Sequence, residues 1–193
     1  SFSSCVNLAE LELDMNHLEI IADVIFLNNQ QLHSLSLANN RITEIAAKAF
    51  IGVPIRNLDI RGNSIASLSR ETFAPLANTL VNLWAINSHI EVIAQGTFVN
   101  FINLIMLDLS LNKITAINSN TFSSMFSLAT LFLDHNQIQS IDERIFVQMP
   151  NLQMLDLTEN QCANRGFFNV PEIRDEMMLA LRECFDVFLS ETI

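Results

Sequence analysis

Hydrophobic and polar positions along this chain follow neither the period of a helix nor the simple alternation of a half-buried strand. The stretch Leu104 to Phe122, LIMLDLSLNKITAINSNTF, shows the pattern most clearly. Leu104, Leu107 and Leu109 are apolar, Asn112 follows three residues later, and Ile114, Ile117 and Phe122 complete the register. An amphipathic helix would keep steps of three and four throughout. The pattern instead predicts one short strand, one tight turn and a returning segment. Such a unit cannot bury its apolar side alone, so it must stack on copies of itself.

The copies begin at Leu8, Leu32, Ile55, Leu80, Leu104, Leu128 and Leu152, at spacings of 24, 23, 25, 24, 24 and 24 residues. The turn position holds Asn16, Asn40, Asn63, Asn112, Asn136 and Asn160. The end of each unit holds Phe26, Phe50, Phe73, Phe98, Phe122 and Phe146, and Phe2 falls in the same phase. This register resembles the leucine-rich repeat, over residues 2 to about 162. The 24-residue unit ending in Phe is similar to the repeats of extracellular proteins such as Toll-like receptor ectodomains and secreted insect immune proteins. The resemblance implies an α/β solenoid, right-handed, with a parallel sheet on its concave face and a C-terminal helical cap. Residues 1–161 would form a partial repeat plus seven units, and residues 162–193 the cap. The Asn amides are expected to form a ladder between turns that satisfies backbone groups, and the Phe rings a spine on the convex side.

Within each strand the Leu side chains point inward and the alternating residues outward. The middle outward position reads Glu12, Ser36, Asp59, Trp84, Asp108, Phe132 and Asp156. The position before it includes Met106 and Met154, and the position after it Ile86 and Asp134. Trp84, Ile86, Met106, Phe132, Asp134 and Met154 are therefore the candidate binding residues. An apolar cluster in a polar surround is the usual make-up of a binding patch. The fourth unit departs from the pattern: Ala85 stands for the second strand Leu, and Ser88 for the turn Asn. Less apolar burial and a shorter side chain are expected to weaken this repeat, and such departures mark functional sites or drift.

Beyond Asn160 the register stops. The segment ANRGFFNVP reads as a loop, and Pro171 suits the first turn of a helix over about 171–189. Ile173, Met177, Leu181, Cys184 and Phe188 recur at steps of 4, 4, 3 and 4, giving one apolar face that would close the core. Cys184 on that face is expected to pair with Cys162, which implies an oxidising compartment. Cys5 sits where Phe101, Met125 and Met149 sit and reads as a buried free thiol, with a disulfide to an upstream segment or another chain as the alternative. The first-repeat core around Phe2, Leu8 and Leu11 is expected to meet a second copy or an upstream segment.

Composition narrows the partners. The formal net charge of −11 disfavours nucleic acid and anionic lipid and favours ligands with basic groups. No apolar stretch is long enough to span a membrane. His17, His33, His89 and His135 make no metal-ligand spacing, and no phosphate loop or catalytic motif is present, so neither cofactor nor enzyme activity is expected. The reading is a secreted, non-enzymatic module holding a protein or microbial ligand on its concave face, plausible in innate immunity. The alternatives are a structural or adhesion protein of extracellular matrix and an intracellular scaffold with reduced cysteines.

Overall fold

The computed structural model describes residues 2–191. Seven three-residue strands, one per repeat, run parallel in one sheet in chain order: Glu10–Glu12, Ser34–Ser36, Asn57–Asp59, Asn82–Trp84, Met106–Asp108, Thr130–Phe132 and Met154–Asp156. The pairing is in register repeat by repeat, so that Leu35, Leu58, Leu83, Leu107, Leu131 and Leu155 line one row. All six are buried, as are Leu37, Ile60, Leu109, Leu133 and Leu157 two positions on. On the opposite side, short two-residue bridges such as Ala116–Ile117 with Ser140–Ile141 complete the coils. The chain is thus a solenoid of stacked coils.

The ends of the repeats are filled by the Phe spine. Phe26, Phe50, Phe73, Phe98, Phe122 and Phe146 are all essentially buried. Phe50–Phe73, Phe73–Phe98 and Phe98–Phe122 have ring centroids 6.3, 6.2 and 5.7 Å apart. From Phe50 to Phe122 each ring meets its neighbour in the next coil, and each Phe of the spine adds burial of about 1.5–3 kcal/mol relative to exposure.

The Asn ladder is present in hydrogen-bond detail. Asn112 Nδ2 donates to Ala85 O at 2.8 Å in the preceding coil and to Leu109 O at 2.9 Å in its own. Its Oδ1 accepts the Ser88 and Ile90 N–H groups, both at 3.0 Å. Asn40, Asn63, Asn136 and Asn160 repeat the arrangement, accepting Leu18, Ile42, Ile114 and Ile138 N–H. Each amide therefore bridges two coils and pays for neither end of a buried turn with an unpaired group.

The fourth repeat is less weakened than its sequence suggests. Ser88 Oγ donates to Ile60 O at 2.9 Å, taking over the donor half of the missing Asn. The acceptor half comes from the backbone: Ile65 N–H bonds Ser88 O at 2.8 Å. Turning that carbonyl back requires a second left-handed residue, and His89 has φ +61° immediately after Asn87 at +49°. Non-glycine residues carry a cost in that region, which Asn and His bear more readily than most. The His89 Nδ1 also bonds Asn63 O at 3.0 Å and helps hold the turn.

Three expectations change at the ends. The segment read as a loop contains a strand, Gly166–Phe168, antiparallel to Met154–Asp156. It pairs the last parallel strand's free edge, which would otherwise expose a row of backbone groups. The single helix becomes two, Val170–Ala180 and Arg182–Glu191, with Leu181 at the break. No Pro or Gly marks the break. It is set by packing: Met177, Leu181, Cys184 and Phe188 stay buried on one side, and Phe185 reaches Phe146 at 6.2 Å. Cys184 is bonded to Cys162 with a Cα–Cα distance of 5.1 Å. Cys5, expected to be buried, is exposed. Its counterparts Phe101, Met125 and Met149 are buried between successive coils.

The ladder carries a stability prediction. Asn112→Ala strips a partner from two N–H and three C=O groups and should cost about 2–4 kcal/mol in urea unfolding, on the scale of buried groups left unpaired. Ser88→Ala removes one hydroxyl and should cost about 1 kcal/mol. Equal losses for the two variants would contradict the backbone substitution at Ser88.

Candidate functional site

The outward residues of the parallel sheet form rows fixed by strand register. Asp59, Trp84, Asp108, Phe132 and Asp156 stand side by side in the middle row. The row before it runs Asn57, Asn82, Met106, Thr130, Met154 and then Phe168 on the antiparallel strand. With strands about 4.8 Å apart, Trp84 and Phe132 lie roughly 10 Å apart, one on each side of Asp108. Met106 and Met154 sit on the adjacent row, on the strands to either side of Phe132. Ile86 and Asp134 lie two residues beyond Trp84 and Phe132 on the same coils, in the next outward row. The structure thus brings Trp84, Met106, Phe132 and Met154 onto one surface, with Ile86 and Asp134 along its edge.

All six candidate residues are half-buried. Close rows pack their side chains against one another, which explains why none stands free in solvent. Phe168 is the residue the sequence reading missed. It is 60% exposed and extends the Met106–Met154 row by one strand. Its segment carried no repeat register, so no pattern marked it as part of the face. The GFF triplet between two polar stretches is the only sequence trace of that strand.

The acids of the face are not the free charges their positions suggest. Asp59 and Asp108 are buried. Asp59 forms an ion pair with Arg61, which donates to it from Nε at 2.7 Å and from Nη2. Asp108 accepts from Ser110 N–H at 3.0 Å and Ser110 Oγ at 2.6 Å. Asp156 accepts the equivalent pair from Thr158, and Asp134 meets His135 Nδ1 at 2.9 Å. In each case a carboxylate is closed by the next outward residue or its neighbour. Burial pushes the Asp108 pKa up, with the charge of Asp134 adding to it and Ser110 and Arg61 opposing.

The concave face has two halves. Repeats 1–4 form a polar hollow of about 450 Å³ whose walls include Glu12, Asp14, Ser36, Asp59, Arg61 and Trp84. Repeats 4–7 present the apolar rows. Trp84 borders both, so one ligand gripping the face from either half meets it. Among the described residues no group of three His, Cys, Asp or Glu is placed to hold a metal, and no helix is long and apolar enough to cross a membrane.

The raised Asp108 pKa fixes the sign of one pH effect. The folded chain holds this proton to a higher pH than the unfolded chain does, so the contribution is lost as pH rises from the ordinary carboxylate value through the folded one. Asp108→Asn should flatten that decline, and relative to the parent its stability should grow through that window in urea titrations. An identical pH profile for both proteins would place the titration elsewhere.

Comparison with known proteins agrees with this geometry. The leucine rich repeat family model matches residues 6–65, 81–138 and 126–166. Leucine-rich repeat-containing protein 3B of Danio rerio is 34% identical over 73 residues, covering 37% of this chain and 28% of that protein. The TLR13 chain of a TLR13–ssRNA13 complex superposes with TM-score 0.78 at 30% identity over 83% of this chain and 23% of its own. A chain of the Toll–Spatzle complex, a hub in Drosophila development and innate immunity, gives TM-score 0.70 at 22% identity, over 83% of this chain and 24% of its own. A chain of the octameric Latrophilin 3, Unc5D and FLRT2 complex gives TM-score 0.67 at 25% identity, over 79% and 46%. The chain therefore spans well under two thirds of each of these proteins. Since one neighbour is in complex with RNA, the fold supplies no ground for excluding nucleic acid. The register, the Asn ladder and the family match together establish that this chain belongs to the leucine-rich-repeat family.

Proposed function

We propose that this chain is a non-enzymatic binding module that takes a protein or microbial ligand on its concave face, outside the cell, in an innate-immune setting. The observation that carries the reading is the pair Trp84 and Phe132 bracketing Asp108, with Met106, Met154 and Phe168 on the next row. Aromatic and Met side chains are the residue types that most often anchor interfaces. The sheet beneath them is held by ladder bonds at every coil, so little ordering entropy is lost on binding. The similarity to chains solved in the Toll–Spatzle complex and in the complex of Latrophilin 3, Unc5D and FLRT2 supports a protein ligand. The Cys162–Cys184 disulfide supports an oxidising compartment. Net charge −11 favours a protein over a long nucleic acid.

The pairing of Asp59, Asp108 and Asp156 moves the weight of recognition from charge to apolar contact. A ligand with a basic rim still gains from Asp134 and from the acids of the polar hollow, chiefly in association rate.

The test is capture from native extracellular fluid, with the wild-type chain and Trp84→Ala immobilised side by side. A partner held by the concave face should lose about 30-fold in affinity with Trp84→Ala, in a variant that melts like the parent. Asp134→Ala should slow association and flatten its salt dependence. A partner bound equally by both chains would remove the apolar rows as the binding surface.

A further inference from the structure

A second site lies on the other side of the coils. The third repeat carries a helical turn, Arg70–Phe73, and the sixth a 3-10 turn, Glu143–Val147. The two repeats between them use extended pairs instead, Phe98–Val99 with Phe122–Ser123. A helical turn stands further out than an extended pair, so the fourth and fifth repeats form the floor of a depression between two raised rims. The depression is open to solvent and has a volume of about 510 Å³.

Each rim supplies one arginine. Arg70 follows the Ser69 cap of the first turn, and its Nη1 lies 3.2 Å from where a Cβ on Gly96 would stand. Gly96 has φ +77° and leaves the space over which that guanidinium lies. Arg144 is held from the other rim by Asp142, which is buried and accepts its Nε at 2.8 Å and Nη2 at 2.6 Å. Asp142 also accepts Ser119 N–H at 3.3 Å, so this one carboxylate ties the rim to the floor. A guanidinium has five N–H donors, so Arg144 keeps others for a ligand after this pairing. Between the arginines the floor and walls offer Ser119, Asn120 and Ser123, and no carboxylate lines the depression.

The chain holds ten Lys and Arg against twenty-one Asp and Glu. Arg144 is neutralised in part by Asp142, so Arg70 brings the local positive charge and Arg144 brings its remaining N–H donors. Fixed guanidinium forks match sulfate and carboxylate oxygens. Hydroxyls and amides beside them match sugar hydroxyls. The acidic remainder of the molecule repels a long polyanion, and no aromatic side chain lines the depression to stack a base. We propose that this convex depression binds a short acidic saccharide, its sulfate or carboxylate oxygens on Arg70 and Arg144 and its hydroxyls on Ser119, Asn120 and Ser123.

The site is independent of the concave face, and its test needs no concave ligand. Amide chemical shifts and calorimetry would be recorded with four probes: a sulfated uronate disaccharide, its unsulfated form, a neutral disaccharide and inorganic sulfate. The acidic disaccharides should shift Gly96, Ser119, Asn120 and Ser123, and the difference between them identifies which oxyanion dominates. The neutral sugar should bind at least about tenfold more weakly. Arg70→Gln, at an exposed position, should lose about tenfold in affinity without a change in melting, and Ser123→Ala a smaller factor. Shifts confined to other residues, unchanged affinity in Arg70→Gln, or equal binding of sulfate alone would overturn the proposal. A single-stranded RNA that binds the same residues more tightly than either acidic disaccharide would overturn it in favour of nucleic acid.

Discussion

The side-chain amide that bridges one turn to the next is the interaction on which this structure depends. A three-residue strand has too few backbone bonds to hold itself in place, and the turn after it leaves buried N–H and C=O groups. Asn at that position supplies donors and an acceptor at a reach of one coil. At Asn112 the five contacts span Ala85, Ser88, Ile90, Leu109 and Ser110. The same bonds hold successive strands in register, and register decides which outward residues stand together. Trp84, Asp108 and Phe132 are neighbours because the turns behind them are locked, not because they attract one another.

The fourth repeat shows how much that constraint tolerates. Ser88 lacks the acceptor, and the backbone provides it by taking a second left-handed residue at His89. The repeat that departs from the pattern also carries Trp84, the only Trp of the chain, and borders both halves of the concave face. The departure is absorbed within the turn and leaves the strand register intact. The two faces use the coil differently. The concave side is uniform strand, and its variety lies in side chains. The convex side varies in backbone, with helical turns at the third and sixth repeats and extended pairs between, and that variety makes the depression.

Most of the fold was legible in the sequence because a repeating core writes itself as a repeating pattern. The inward Leu rows, the Asn turns and the Phe spine all follow from one register. What the pattern did not carry lies where the register stops or where chemistry is settled between neighbours. Phe168 belongs to a strand outside the repeats, and its place depends on pairing with Met154. The break at Leu181 depends on packing against the last coils. Cys5 keeps its repeat position yet is exposed, because phase alone does not fix burial. The closing of Asp59 by Arg61 and of Asp108 by Ser110 is an i to i+2 relation that reads in the sequence as ordinary polar alternation. Arg70 and Arg144, three repeats apart in sequence, line one depression, which no register in the sequence marks.

Native-state hydrogen exchange tests the ladder most directly. The amides of Ile42, Ile90, Ile114 and Ile138 donate to Asn side chains, and that of Ile65 donates to the Ser88 carbonyl. If the ladder organises the solenoid, all five should exchange only through large-scale opening, with protection near that of the buried strand amides. Exchange of the Asn-bonded amides at the rate of exposed loops would contradict the ladder as the organising interaction, and fast exchange of Ile65 alone would contradict the backbone substitution in the fourth repeat.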